Sequence, residues 1–105
     1  MIIKGDWAGC YATIGKARQA QLNLGPHCMN RETILHEVMH ILGFFHEQSR
    51  EDRDDYVEVL FDNINPAYKG NFDKYTSAYI NHMGAPYDYC SIMHYPSDAF
   101  SKVSI

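Results

Sequence analysis

Two short strand-like runs, one strongly apolar helix and a long, weakly patterned remainder predict an α+β fold for this 105-residue chain. The strand-like runs are Tyr11–Ile14 and Ala20–Leu24. In the second, Ala20, Leu22 and Leu24 alternate with polar residues. Gly25 and Pro26 then break the pattern. Asn30 is a suitable N-cap for a helix from Arg31 to about Leu42. Ile34, Leu35, Val38, Met39, Ile41 and Leu42 ring most of that helix, the pattern of one buried at the centre of a protein. Weaker signals follow. Tyr56–Phe61 is β-prone, Asp73–Asn81 reads as a weak second helix, and Gly84–Asp88 reads as a turn.

Composition narrows the function. The length allows one domain at most. A hydrophobic share of 46% with 13% aromatics excludes a disordered composition. A formal charge of −4 and a pI near 5.8 give no attraction to nucleic acid or anionic lipid. No apolar run is long enough to predict a membrane span. Met1–Asp6 reads as neither a secretory signal nor a pro-segment.

The chemistry is concentrated between His36 and His46, which spell H-E-x-x-H-x-x-G-x-x-H. On a helix His36 and His40 differ by about 40° in azimuth and about 6 Å in height. Two imidazoles so placed can share one tetrahedral Zn²⁺ at roughly 2.0–2.1 Å each. Glu37 lies about 100° round from His36, beside the metal rather than on it, where a base for an activated water belongs. His46 cannot join from the same helix, because it would point about 240° away from His40. The helix must stop and the chain must turn back. Gly43 permits this, since glycine enters the left-handed conformation of a helix C-cap without steric cost. A motif with three of the rare histidines should arise by chance in so short a chain with odds on the order of one in 10⁵. A purely structural zinc site is disfavoured, because three histidine ligands leave the fourth position open.

Downstream, Ser91-Ile92-Met93-His94-Tyr95 completes the metzincin pattern of an extended zinc motif followed by a Met-turn. The run from His46 to Val57 resembles the H-E-x-x-R-x-D-R-D-x-Y-V of the astacin family of zinc endopeptidases. Gly9-Cys10-Tyr11, Ile14-Gly15, Gln19, Leu22, Gly25, Cys28 and Asn71-Phe72 are similar to further family positions. The likeness extends from about residue 7 to about residue 101.

That resemblance implies a metzincin-like zinc protease, truncated, with a small mixed sheet edge, a central zinc-binding helix and an irregular lower segment carrying the Met-turn. Residues 1–105 would then be part of a longer peptidase catalytic domain, without its N-terminal strands and C-terminal part. One Zn²⁺ per chain is expected, on His36, His40 and His46. Glu37 is expected to be the general base and Tyr95 to stabilise the oxyanion, with Met93 as an apolar floor below the imidazoles. Glu47 occupies the family position that holds the processed amino terminus, which lies upstream of anything present here. Arg50, Arg53 and Asp54 should form structural ion pairs, and His27, His82 and His94 should be structural or exposed. Cys10 and Cys28 match a family disulfide, leaving Cys90 as a free thiol, semi-buried and apolar in character, or for an intermolecular pairing. The activity implied is a secreted or extracellular zinc metalloendopeptidase acting on proteins or peptides. The alternative is a truncated, non-catalytic zinc-binding fragment of such a protease. Apolar residues Ile34, Leu35, Ile41 and Leu42 of the helix are then expected to be partly uncovered.

Overall fold

The computed structural model describes residues 1–103. They fall into two compact units, one from Met1 to Phe45 and the other from His46 onward.

The first unit is built on a three-stranded mixed sheet whose middle strand is β3 (Gln21–Leu24). On one side β1 (Ile2–Lys4) runs parallel to it, with Ile2 opposite Gln21 and Lys4 opposite Asn23. On the other, β2 (Cys10–Ala12) runs antiparallel, with Cys10 opposite Leu24 and Ala12 opposite Leu22. The two strands expected from the sequence are present, each slightly shorter. β1 is an addition. Its three residues are all exposed and carry no alternation, so only pairing with β3 makes them a strand.

Asn23 explains how the β1–β2 loop is held. It is fully buried, and its Nδ2 donates to the Gly9 carbonyl at 2.6 Å while its Oδ1 accepts from the Asp6 amide at 3.3 Å. Gly25 lies so close to this loop that a Cβ there would stand 2.6 Å from the Asp6 carbonyl oxygen. The Cys10–Cys28 disulfide then ties β2 to the turn after β3, with Cα atoms 5.7 Å apart and Cys28 wholly buried.

Helix α1 (Arg31–Ile41) packs on β2 and β3. Asn30 caps it as expected, its side chain accepting from the Thr33 amide at 2.9 Å. At the other end the Gly43 amide donates to the His40 carbonyl and the Phe44 amide to the Met39 carbonyl. With Gly43 at φ +106°, this is the Schellman arrangement, and the helix stops where the glycine predicts. Burial departs from expectation. Glu37 and His40 are the buried residues of α1, whereas Leu35 and Val38 are exposed and Ile34, Met39 and Ile41 half-buried. The apolar ring is therefore only partly covered, as the truncated reading expects of Ile34, Leu35, Ile41 and Leu42.

The second unit contains no α-helix and no laddered strand among its described residues. It is a series of single turns of 3₁₀ helix at Glu47–Ser49, Arg53–Asp55 and Phe61–Asn63, a longer one at Pro66–Phe72, and an isolated bridge between Ile64 and Ser101. Tyr56–Phe61, β-prone in sequence as a strand or only a short extended piece, finds no ladder partner among the described residues, and its last residue begins a 3₁₀ turn. The expectation that fails is the weak second helix, since Asp73–Asn81 is not a helix. The Tyr75 amide is committed to the Ser49 carbonyl and the Ser77 amide to the Glu51 carboxylate, which leaves only one turn closed on the Thr76 carbonyl.

Ile64, Phe72, Tyr87 and Met93 form the apolar core of this unit, alongside two buried arginines. Arg50 donates to Glu47, to both oxygens of Asp52 and to the carbonyls of Ala85 and Pro86, and lies 5.3 Å from the centre of the Tyr87 ring. Arg53 donates to Asp54 and to the carbonyls of Gln48 and Phe72. Carbonyls outside regular structure have no ladder or helix partner, and these guanidiniums supply donors to four of them. The structural ion pairs expected of Arg50, Arg53 and Asp54 are present.

Candidate metal centre

The middle of α1 carries His36, Glu37 and His40 within about one turn. The rings of His36 and His40 meet edge to face with centroids 4.8 Å apart. His40 is held from behind. Its Nδ1 lies 2.7 Å from the Phe44 carbonyl oxygen, and since a carbonyl only accepts, that nitrogen carries the proton. Nε2 then carries the lone pair, the state in which imidazole ligates a metal. The Schellman turn at Gly43 places the Phe44 carbonyl, so the helix stop and the tautomer have one origin. Burial depresses the His40 pKa, opposed by the bond to Phe44 and reinforced by His36. The Glu37 pKa is raised, chiefly by burial, with His36 pulling it back. Its Oε2 is buried without a hydrogen-bond partner among the described residues.

His46 follows the turn and opens the 3₁₀ segment Glu47–Ser49. His36 and His40 belong to the first unit and His46 opens the second, and each offers one ligand-capable nitrogen. Cys10, His27 and Cys28 fall within 4.8 Å of one another, but both sulfurs are consumed in the disulfide.

The Met-turn is closed by the His94 amide donating to the Ser91 carbonyl and the Met93 amide to the Ser91 hydroxyl oxygen. Met93 is buried, and its carbonyl accepts from the Glu47 amide at 3.0 Å. The Tyr95 ring lies 4.5 Å from that of His46 and also packs against Phe72 and Phe100. His94 is structural, as expected. Its Nδ1–H donates to the Tyr95 carbonyl at 2.7 Å, so its Nε2 accepts from the Tyr87 hydroxyl at 2.6 Å. Burial, then the Glu47 carboxylate, pushes the Tyr87 phenol up to about 12.

Glu47 is not idle here, because one oxygen accepts from both Arg50 and the Asp88 amide. Cys90 is free but exposed rather than semi-buried. Sequence reasoning also passed over Gln48, which is almost completely buried and whose Oε1 accepts from the Tyr95 amide at 3.0 Å. As a lone polar residue in a polar run, it gives no pattern to read.

The family described as Astacin (Peptidase family M12A) matches residues 1–105. The chain belongs to the astacin family. It is 50% identical over 95 residues to zinc metalloproteinase nas-15 of Caenorhabditis elegans, a match covering 90% of this chain and 17% of that protein. It is 43% identical over 103 residues to meprin A subunit beta of Mus musculus, covering 96% of this chain and 14% of that protein. Among solved structures it is similar to a hatching-enzyme zinc-protease of the medaka Oryzias latipes, with a TM-score of 0.88 and 45% identity, covering 96% of this chain and 50% of that one. The chain thus spans less than a third of these curated relatives and half of the solved protein. The mixed sheet, the α-helix and the irregular remainder of the described residues match the α+β fold of that solved protein, and zinc is the cofactor of the family.

Proposed function

We propose that this astacin-family chain carries the catalytic centre of a secreted zinc metalloendopeptidase, with His36, His40 and His46 as ligands, Glu37 as general base and Tyr95 as oxyanion donor. The observation that carries the reading is the pair of buried groups on α1: His40, whose tautomer is fixed by the Phe44 carbonyl, and Glu37, whose inner oxygen has no partner among the described residues. Imidazole nitrogens suit zinc, and three of them with no thiolate or further carboxylate suit an open, catalytic site. The donor set fits the metal.

Bound there, Zn²⁺ would supply Lewis acidity that makes water nucleophilic near neutral pH. Glu37 takes a proton from the attacking water and returns it to the departing amine. Its raised pKa suits both halves of that task. Tyr95 donates its phenolic hydrogen to the oxygen that gains charge as the peptide carbonyl is attacked. Protein or peptide substrates follow from the reaction. The disulfide is consistent with an oxidising, extracellular setting, and no helix among the described residues is long and apolar enough to cross a membrane.

The test uses the full-length protein with Glu37→Ala. Zinc should stay near one equivalent per chain while proteolysis falls by roughly 10²–10⁴-fold, the usual contribution of a positioned general base. Loss of the metal, or undiminished cleavage, would overturn the assignment. A wild-type protein that binds zinc and cleaves nothing would instead support the non-catalytic alternative.

A further inference from the structure

We infer that Gln48 is a positioning residue for Tyr95, fixing the Met-turn to the third histidine so that the phenol stays over the His46 ring. This rests on the catalytic reading of Tyr95 given above. Gln48 lies two residues after His46, in the 3₁₀ turn Glu47–Ser49, and its side chain is among the most deeply buried in the chain. The amide orientation is decided by chemistry. A backbone N–H only donates, so the group 3.0 Å from the Tyr95 nitrogen must be the carbonyl oxygen.

The rest of the contact is one-sided. Gln48 Nε2 is buried with no hydrogen-bond partner among the described residues. A buried, unpaired donor is a standing penalty that a methionine of similar length would avoid. What glutamine supplies and methionine does not is the acceptor oxygen for the Tyr95 amide.

That oxygen completes a staple. The Glu47 amide donates to the Met93 carbonyl and, one residue on, the Gln48 side chain receives the Tyr95 amide, both at 3.0 Å. Two parallel bonds of this kind mimic a short stretch of ladder between segments that have no strand. They define the register of Tyr95 relative to His46, whose rings stand 4.5 Å apart. Hydroxyl placement within a fraction of an ångström governs how much a single oxyanion donor contributes. Releasing the Tyr95 backbone should thus cost turnover without touching the metal ligands.

A double-mutant cycle in the full-length protein tests this. Gln48→Met should lower kcat about tenfold, change KM little and leave zinc content unaltered. In a Tyr95→Phe background the same substitution should change kcat by less than about twofold, because there is no hydroxyl left to position. A readout independent of activity is amide exchange in the metal-free protein. Gln48→Met should speed exchange at the Tyr95 amide at least about tenfold while the amides of α1 keep their protection. If Tyr95→Phe alone keeps full kcat, the reading of Tyr95 fails. If it does not, but Gln48→Met costs the same factor in both backgrounds or leaves Tyr95 exchange unchanged, the positioning role is overturned.

Discussion

Residues up to Phe45 and residues from His46 onward reach order by different means, the first through backbone ladders and a helix, the second through side chains. In the first unit the Cys10, Tyr11 and Ala12 backbone pairs with β3, α1 satisfies its own carbonyls, and side-chain bonds such as those of Asn23 and Asn30 finish the ends. In the second unit the structure closes on Arg50, Arg53 and the ring contacts around Tyr87 and Phe72. A ladder spreads its energy over many equivalent bonds, so losing one is tolerated. A buried guanidinium concentrates several bonds in one residue. The two units should therefore respond very differently to single substitutions.

The largest expected effect is at Arg50. Arg50→Ala removes a buried cation and takes the guanidinium from the carboxylates of Glu47 and Asp52 and the carbonyls of Ala85 and Pro86. The loss should be about 3–5 kcal/mol, the usual consequence of breaking a buried pair from one side. Urea unfolding of the full-length protein measures it, and a change below about 1 kcal/mol would mean that these bonds are replaced by water at no penalty.

In the first unit the comparable change is covalent. Opening the Cys10–Cys28 bridge by replacing both cysteines with alanine should cost about 3 kcal/mol in the chain-entropy model. Alkylation of the denatured, unreduced wild type should label Cys90 and neither Cys10 nor Cys28. Label on Cys10 and Cys28 would show that the bridge does not form in solution.

The smallest effect belongs to a helix end. Asn30→Ala deletes one cap bond, that to the Thr33 amide, and should cost about 1 kcal/mol. Were it to exceed the Arg50→Ala loss in the same unfolding experiment, the contrast between the two units would be reversed.

The same contrast explains what could be read in the sequence. Asn30, the apolar period of α1 and Gly43 are local signals, and the cap, the helix and the stop all fall where those residues place them. The spacing of His36, Glu37, His40 and His46 is local too, so the candidate site was legible from one short run. β1 was not, because Ile2–Lys4 becomes a strand only through a partner at Gln21–Asn23. The failed helix at Asp73–Asn81 has the same cause, its amides being drawn away by Ser49 and Glu51. The depth of burial on α1 is less legible. Its apolar pattern places Val38 inside, whereas Glu37 and His40 are the buried residues and Leu35 is uncovered.

Gly43 contributes no functional atom, yet its φ of +106° brings the Phe44 carbonyl onto His40 Nδ1. One proton is thereby assigned to the side of the ring away from the candidate ligand position as soon as the helix terminates. The imidazole does not have to exchange tautomers when a cation arrives, so that part of the entropy of binding is already spent during folding. At the proposed site, a backbone torsion at a residue without a side chain would thus act on metal affinity at a distance of three residues, through a peptide oxygen rather than through any group that chemistry alone would single out.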